Sequence, residues 1–93
     1  MLAIIPIKQF QKDLVKAHKR GKNLAKIEII IDNLANENPL PIRNKDHILT
    51  GNYINHRECH IEPDWLLIYK IDEDERELIL VRTGSHSHSD LFK

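Results

Sequence analysis

The 93-residue chain carries 14 Lys and Arg against 14 Asp and Glu, a formal net charge of zero, and is long enough for one domain with a modest core. That balance excludes a simple polycation that coats nucleic acid, and the single Cys59 excludes an intramolecular disulfide and suits a reducing compartment. No stretch approaches the roughly 20 apolar residues of a transmembrane helix, and MLAIIPIKQF lacks the basic start and small-residue cleavage site of a signal peptide. One domain over residues 1–93, cytoplasmic and without membrane attachment, is expected.

LAIIPI (2–7) reads as a short strand, with Pro6 at its end or on an edge because proline has no N–H for the ladder. KQFQKDLVKAHKR (8–20) sets Phe10, Leu14 and Ala17 on one helical face and leaves Lys12, Lys16, Lys19 and Arg20 largely off it. Gly21 suits the left-handed geometry that closes a helix. A second helix over 22–38 carries Leu24, Ile27, Ile31 and Leu34 at helical spacing, and the prolines of NPLP stop it. Residues 39–51 read as a loop hinged at Gly51.

The period then changes. Residues 52–61, 65–71 and 77–83 read as three strands in an antiparallel meander, with turns at EPD (62–64) and DEDER (72–76). The last two are apolar on both faces, as central strands are. The order βααβββ predicts an α+β fold, a two-helix hairpin packed on one face of a mostly antiparallel sheet. Charge is uneven along it: residues 8–27 hold seven Lys and Arg against Asp13 alone, and residues 72–77 hold five acids and one Arg.

Six histidines are the main chemical signal. His18 belongs to the basic helix and reads as solvated. Alternation places His56, Glu58 and His60 on one face of their strand, away from the helices, with Arg57, Cys59 and Ile61 on the other. A meander of compatible register brings His60, Asp64, Trp65, Arg82 and His86 to one rim. Imidazoles, a carboxylate to orient one of them and an Arg to hold an anion are the parts of acid–base phosphoryl chemistry without a metal. Trp65 opens an apolar strand, where a core role is the commoner use. On a strand, His56 and His60 stand about 13 Å apart, too far to share a metal, and nothing fixes His86, His88 and Asp90 into a ligand set.

Three blocks in register resemble the YafQ-type toxins of the RelE/ParE superfamily: KDHILTG (45–51), RECHIEPDWLLIYKI (57–71), and LVRTGSH with DLF (80–92). The middle block is the most specific. The resemblance implies a RelE-like fold with a curved sheet. It also implies a type II toxin that cuts mRNA in the ribosomal A site by metal-free attack of the ribose 2′-OH, with no cofactor. It assigns the catalytic positions to His47, His60, Asp64, His86 and Phe92, with Trp65, Arg82 and His88 at matching or neighbouring substrate positions. The tail GSHSHSDLF carries an extra His-Ser pair; His86 is favoured for the catalytic slot because it follows directly from a strand. The implied partners are a cognate antitoxin, of ribbon-helix-helix type by family precedent, and operator DNA reached only through it. Two alternatives stay open: a ParE-like toxin that binds a topoisomerase without catalysis, and an inactive member that acts only in an antitoxin–DNA repressor complex.

Overall fold

The structure, a computed structural model, describes residues 1–85. Its elements are β1 (Ala3–Pro6), α1 (Lys8–Lys19), α2 (Leu24–Ala35), β2 (His47–Ile48), β3 (Arg57–Glu62), β4 (Trp65–Asp72) and β5 (Glu77–Ser85), with single 3₁₀ turns at Ile42–Asn44 and Gly51–Tyr53. The five strands form one sheet in the order β1-β5-β4-β3-β2. β1 runs parallel to β5, and every other pairing is antiparallel. The α+β architecture, the helix hairpin and the meander match the expectation, and the two strands apolar on both faces lie inside the sheet.

Local chemistry sets the helix ends. Gly21, at φ +82°, follows α1 in the left-handed region, and the backbone N–H groups of Arg20, Gly21 and Lys22 donate to the last carbonyls of the helix. The Asn23 side chain caps α2 by accepting from the Ala25 N–H at 3.0 Å. Both helices turn their apolar stripes to one face of the sheet. Phe10, Ala17, Ile27, Ile30 and Leu34 pack there against Cys59, Trp65, Leu67, Tyr69, Leu78 and Leu80. Each large side chain removed from water in this layer contributes about 1.5–3 kcal/mol.

Two expectations are corrected. The strand expected over 52–61 begins only at Arg57, because Gly51–Tyr53 forms a 3₁₀ turn and Asn55 adopts φ +71°, which no strand accommodates. The loop expected over 39–51 contains β2, whose His47 and Ile48 pair with Glu58 and Arg57. The far face of the sheet is also not bare. Leu66 and Ile68 are fully buried there beneath Leu49, Tyr53 and Val81.

Two register slips shape the functional end of the sheet. One falls at Ile61, between the His60–Leu66 and Glu62–Trp65 pairs. The other falls at Val81, between the Tyr69–Leu80 and Ile68–Arg82 pairs. Such bulges bend a strand and re-aim its side chains.

Candidate functional site

β2 and β3 place His47 directly opposite Glu58, and His60 lies two residues further along β3 on the same face. One oxygen of Glu58 therefore faces both rings. Its Oε1 is 3.5 Å from His47 Nε2 and 3.9 Å from His60 Nε2. The other ring nitrogens are occupied by backbone carbonyls: His47 Nδ1 is 2.7 Å from the Lys45 oxygen, and His60 Nδ1 is 3.3 Å from the Pro63 oxygen. A carbonyl only accepts, so Nδ1 carries the hydrogen in both rings and Nε2 is the atom that can take or give a proton. Two imidazoles thus present the same reactive atom toward one patch, with a buried carboxylate between them.

The support beneath this patch is local. Buried Asn44 donates from Nδ2 to the His60 carbonyl at 2.7 Å and ties the loop before β2 to β3. Asp46 accepts from Tyr69 Oη and from Arg57 Nε, which fixes the start of β2 against the sheet. Burial, followed by the hydrogen bond to Asp46, pushes the Tyr69 phenol well above its ordinary range. Burial also pushes the Cys59 thiol up to about 12, so it stays protonated and packs as a core residue.

Asp64, expected to orient His60, accepts instead from Ser85 Oγ at 2.9 Å. Among the described residues, the carboxylate within ion-pair distance of His60 is Glu58. Alternation along β3 puts Glu58 on this face, but a single carboxylate in a strand carries no sequence signature of a role. Trp65, expected at the substrate side, is 1% exposed and belongs to the helix-facing core. Its Nε1–H donates to Thr83 Oγ1 at 2.9 Å, and Thr83 Oγ1 donates to the Leu66 carbonyl at 2.7 Å. His56 sits in the turn before β3, its ring edge-on to Tyr53 at 5.6 Å. His18 is exposed on α1. His86, His88 and Phe92 lie outside the described residues.

Arg82 occupies the third side. Its Nε donates to Asp13 Oδ2 at 2.7 Å. The same carboxylate oxygen accepts from the Thr83 backbone N–H at 3.2 Å, and Oδ1 accepts from Gln9 Nε2 at 3.1 Å. Asp13 comes from α1, so one buried carboxylate couples that helix to the end of β5. Asp13, with the Tyr53 hydroxyl as a lesser contributor, raises the Arg82 pKa further and keeps the guanidinium charged. The sequence signal for Asp13 was its isolation among seven basic residues. A row across the sheet connects the two sides, because His60 pairs with Leu66 and Leu66 with Gly84. At two strand spacings, His60 and Gly84 are about 10 Å apart.

This sequence and this fold match a known group of proteins. The profile of the family described as bacterial toxin of type II toxin–antitoxin system, YafQ, matches residues 2–93. The mRNA interferase toxin YafQ of Escherichia coli strain K12 is 41% identical over 80 residues, 85% of each chain. A metal-bound toxin from Helicobacter pylori superposes with a TM-score of 0.88 at 47% identity, over 94% of this chain and 97% of that one. YafQ in the E. coli DinJ–YafQ complex superposes with a TM-score of 0.87 at 38% identity over 100% of both. The chain belongs to the YafQ family of bacterial toxins, and its fold is RelE-like. Among the described residues, no group of three or more His, Cys, Asp or Glu is placed to hold a metal ion.

Proposed function

We propose that this chain is the toxin of a type II toxin–antitoxin pair and an endoribonuclease that cuts mRNA in the ribosomal A site. The observation that carries the reading is the pair of Nε2 atoms, from His47 and His60, facing one carboxylate within 4 Å on the side of the sheet away from the helices. Family membership supports it, since the relative from E. coli is named an mRNA interferase.

In the proposed reaction His60 Nε2 takes the proton from a ribose 2′-OH. The 2′-oxygen attacks the adjacent phosphorus, the bond to the 5′-oxygen breaks, and an acid protonates that oxygen as it leaves. The products carry a 2′,3′-cyclic phosphate and a 5′-OH. His86 is assigned the acid, His47 and Arg82 hold the phosphate, and Phe92 stacks on a base. Glu58, facing both Nε2 atoms, stabilises the imidazolium that His60 becomes on taking the proton. Asp64 acts one step back from the chemistry, by fixing Ser85 where the chain leads into His86. Trp65 supports this rim from inside the core.

A cognate antitoxin completes the proposal, since the YafQ of E. coli has been solved in complex with DinJ. By family precedent the antitoxin is of ribbon-helix-helix type and carries the operator-DNA contact, and the cytoplasm is the site of action. Among the described residues no helix is long and apolar enough to cross a membrane.

The test is purified protein with translating ribosomes and a short mRNA. Cuts at defined codons are expected, with products lacking a 5′-phosphate. They should fall by about 10²–10⁴ in His60→Ala and vanish when the attacked ribose is 2′-deoxy. Growth arrest that persists unchanged in His47→Ala and His60→Ala would instead favour the topoisomerase-binding alternative. His86→Ala beside His88→Ala decides which tail histidine acts.

A further inference from the structure

A second feature lies around the rim from the two histidines. The end of α1 and the end of β5 enclose a cleft of about 210 Å³. Among the described residues its walls carry four cations, Lys16, Arg20, Lys22 and Arg82, and one carboxylate, Asp13. That carboxylate is already committed to Arg82 and the Thr83 N–H. The Lys16, Ala17 and His18 carbonyls at the end of α1 already accept from the N–H groups of Arg20, Gly21 and Lys22. Lys22 lies over the Trp65 ring at 5.8 Å and is shared with Glu62 at 3.5 Å, so it is held at the cleft wall. Lys16 makes no ion pair among the described residues and is exposed.

We propose that this cleft is a subsite for a backbone phosphate of the RNA, a short distance along the strand from the scissile one. The choice of ligand rests on the ribonuclease reading above. A surplus of cations in a small concave space selects an anion. Its size suits one phosphate with its sugar. An acidic protein segment carries the same charge, but the cleft's position relative to the histidines favours RNA. Arg82 lines the cleft and lies within the influence of the Tyr53 hydroxyl on the catalytic side of the sheet. Gly84, at the cleft edge, is in the same cross-strand row as His60. A backbone held at His60 would therefore leave the catalytic face toward this cleft. The subsite would fix the direction of the strand while adding no proton transfer of its own.

The experiment is fluorescence anisotropy of a labelled single-stranded RNA that is 2′-O-methylated throughout and cannot be cut, titrated with the full chain over a range of salt. Each phosphate contact contributes about 0.7 to the slope of log K against log salt for single strands. Lys16→Gln should lower that slope by about 0.7, the share of the one phosphate the cleft holds. Lys12→Gln, on α1 but in a different groove, should leave it unchanged. Circular dichroism shows whether the variants fold, and Lys16→Gln, at an exposed position, should fold normally.

Equal losses from Lys12→Gln and Lys16→Gln would overturn the subsite in favour of a diffuse field. So would no salt-dependent binding by the unaltered chain, or RNA binding that ignores Lys16 while affinity for an acidic antitoxin peptide depends on it. Binding that depends on Lys16, in a protein that cuts no mRNA on ribosomes, would support the subsite and overturn the nuclease. Cleavage with unchanged KM and unchanged binding in Lys16→Gln would do the reverse.

Discussion

Oδ2 of Asp13 lies 2.7 Å from Nε of Arg82, 69 residues further along the chain. Asp13 is almost fully buried, whereas Arg82 keeps a quarter of its side chain in solvent. The pair therefore does two things: it locks α1 to the end of β5, and it leaves part of the guanidinium available to an anion.

Asp13→Asn keeps the shape and removes the charge. Breaking a fully buried pair costs about 3–5 kcal/mol, and partial exposure of Arg82 brings the expected loss here to about 2–3 kcal/mol. Urea denaturation measures it. If Arg82 holds phosphate, the variant should also raise KM for a short RNA more than it lowers kcat. A loss of stability with KM unchanged would leave Asp13 a purely structural clamp.

Glu58 offers a sharper test of the catalytic patch. Glu58→Gln should preserve the fold and lower single-turnover cleavage by about 10²-fold, the usual scale when a group that stabilises developing charge is removed. Activity within twofold of the unaltered protein would separate the two histidines from any common function.

Trp65→Phe distinguishes core from substrate contact. It removes the hydrogen bond to Thr83 and some packing volume, together about 2 kcal/mol. Thermal or urea unfolding should show that loss, while KM stays unchanged once the folded fraction is matched. A KM effect without a stability effect would place the indole against the RNA.

Glu62 predicts a pH dependence. Its hydrogen bond from Lys26 at 2.8 Å, with Lys22 adding to it, lowers its pKa below the ordinary 4.5. A lowered carboxylate contributes stability above its unfolded pKa and loses it as pH falls through the folded value. The pair is largely solvated, so its contribution stays below about 1 kcal/mol. Glu62→Gln should be slightly less stable than the parent at pH 7, and the difference should close as the pH falls below the ordinary 4.5. A gap that persists in acid would show that the pair does not act through charge.

What was legible in the sequence followed from periodicity. Phe10, Ala17, Ile27 and Leu34 recur at helical spacing and are buried. Leu66, Leu67, Ile68 and Tyr69 form an unbroken apolar run and lie in an internal strand. His60 lies on the face away from the helices because alternation in β3 leaves no other choice once Cys59 is in the core. β2 was not legible, since a two-residue strand has no period. His56 was misplaced because the left-handed Asn55 interrupts the strand, a conformation that residue type permits but does not announce.

The amino-acid order alone determined the two helices, the first strand and the three-strand meander, and which face each helix buries, because those properties depend on residues within a few positions of one another. Only the tertiary structure decided which charges meet. Asp13 finds Arg82, and Glu58 rather than Asp64 comes within ion-pair distance of His60. Such pairings depend on strand register, and two single-residue slips, at Ile61 and Val81, set the register where the chemistry lies.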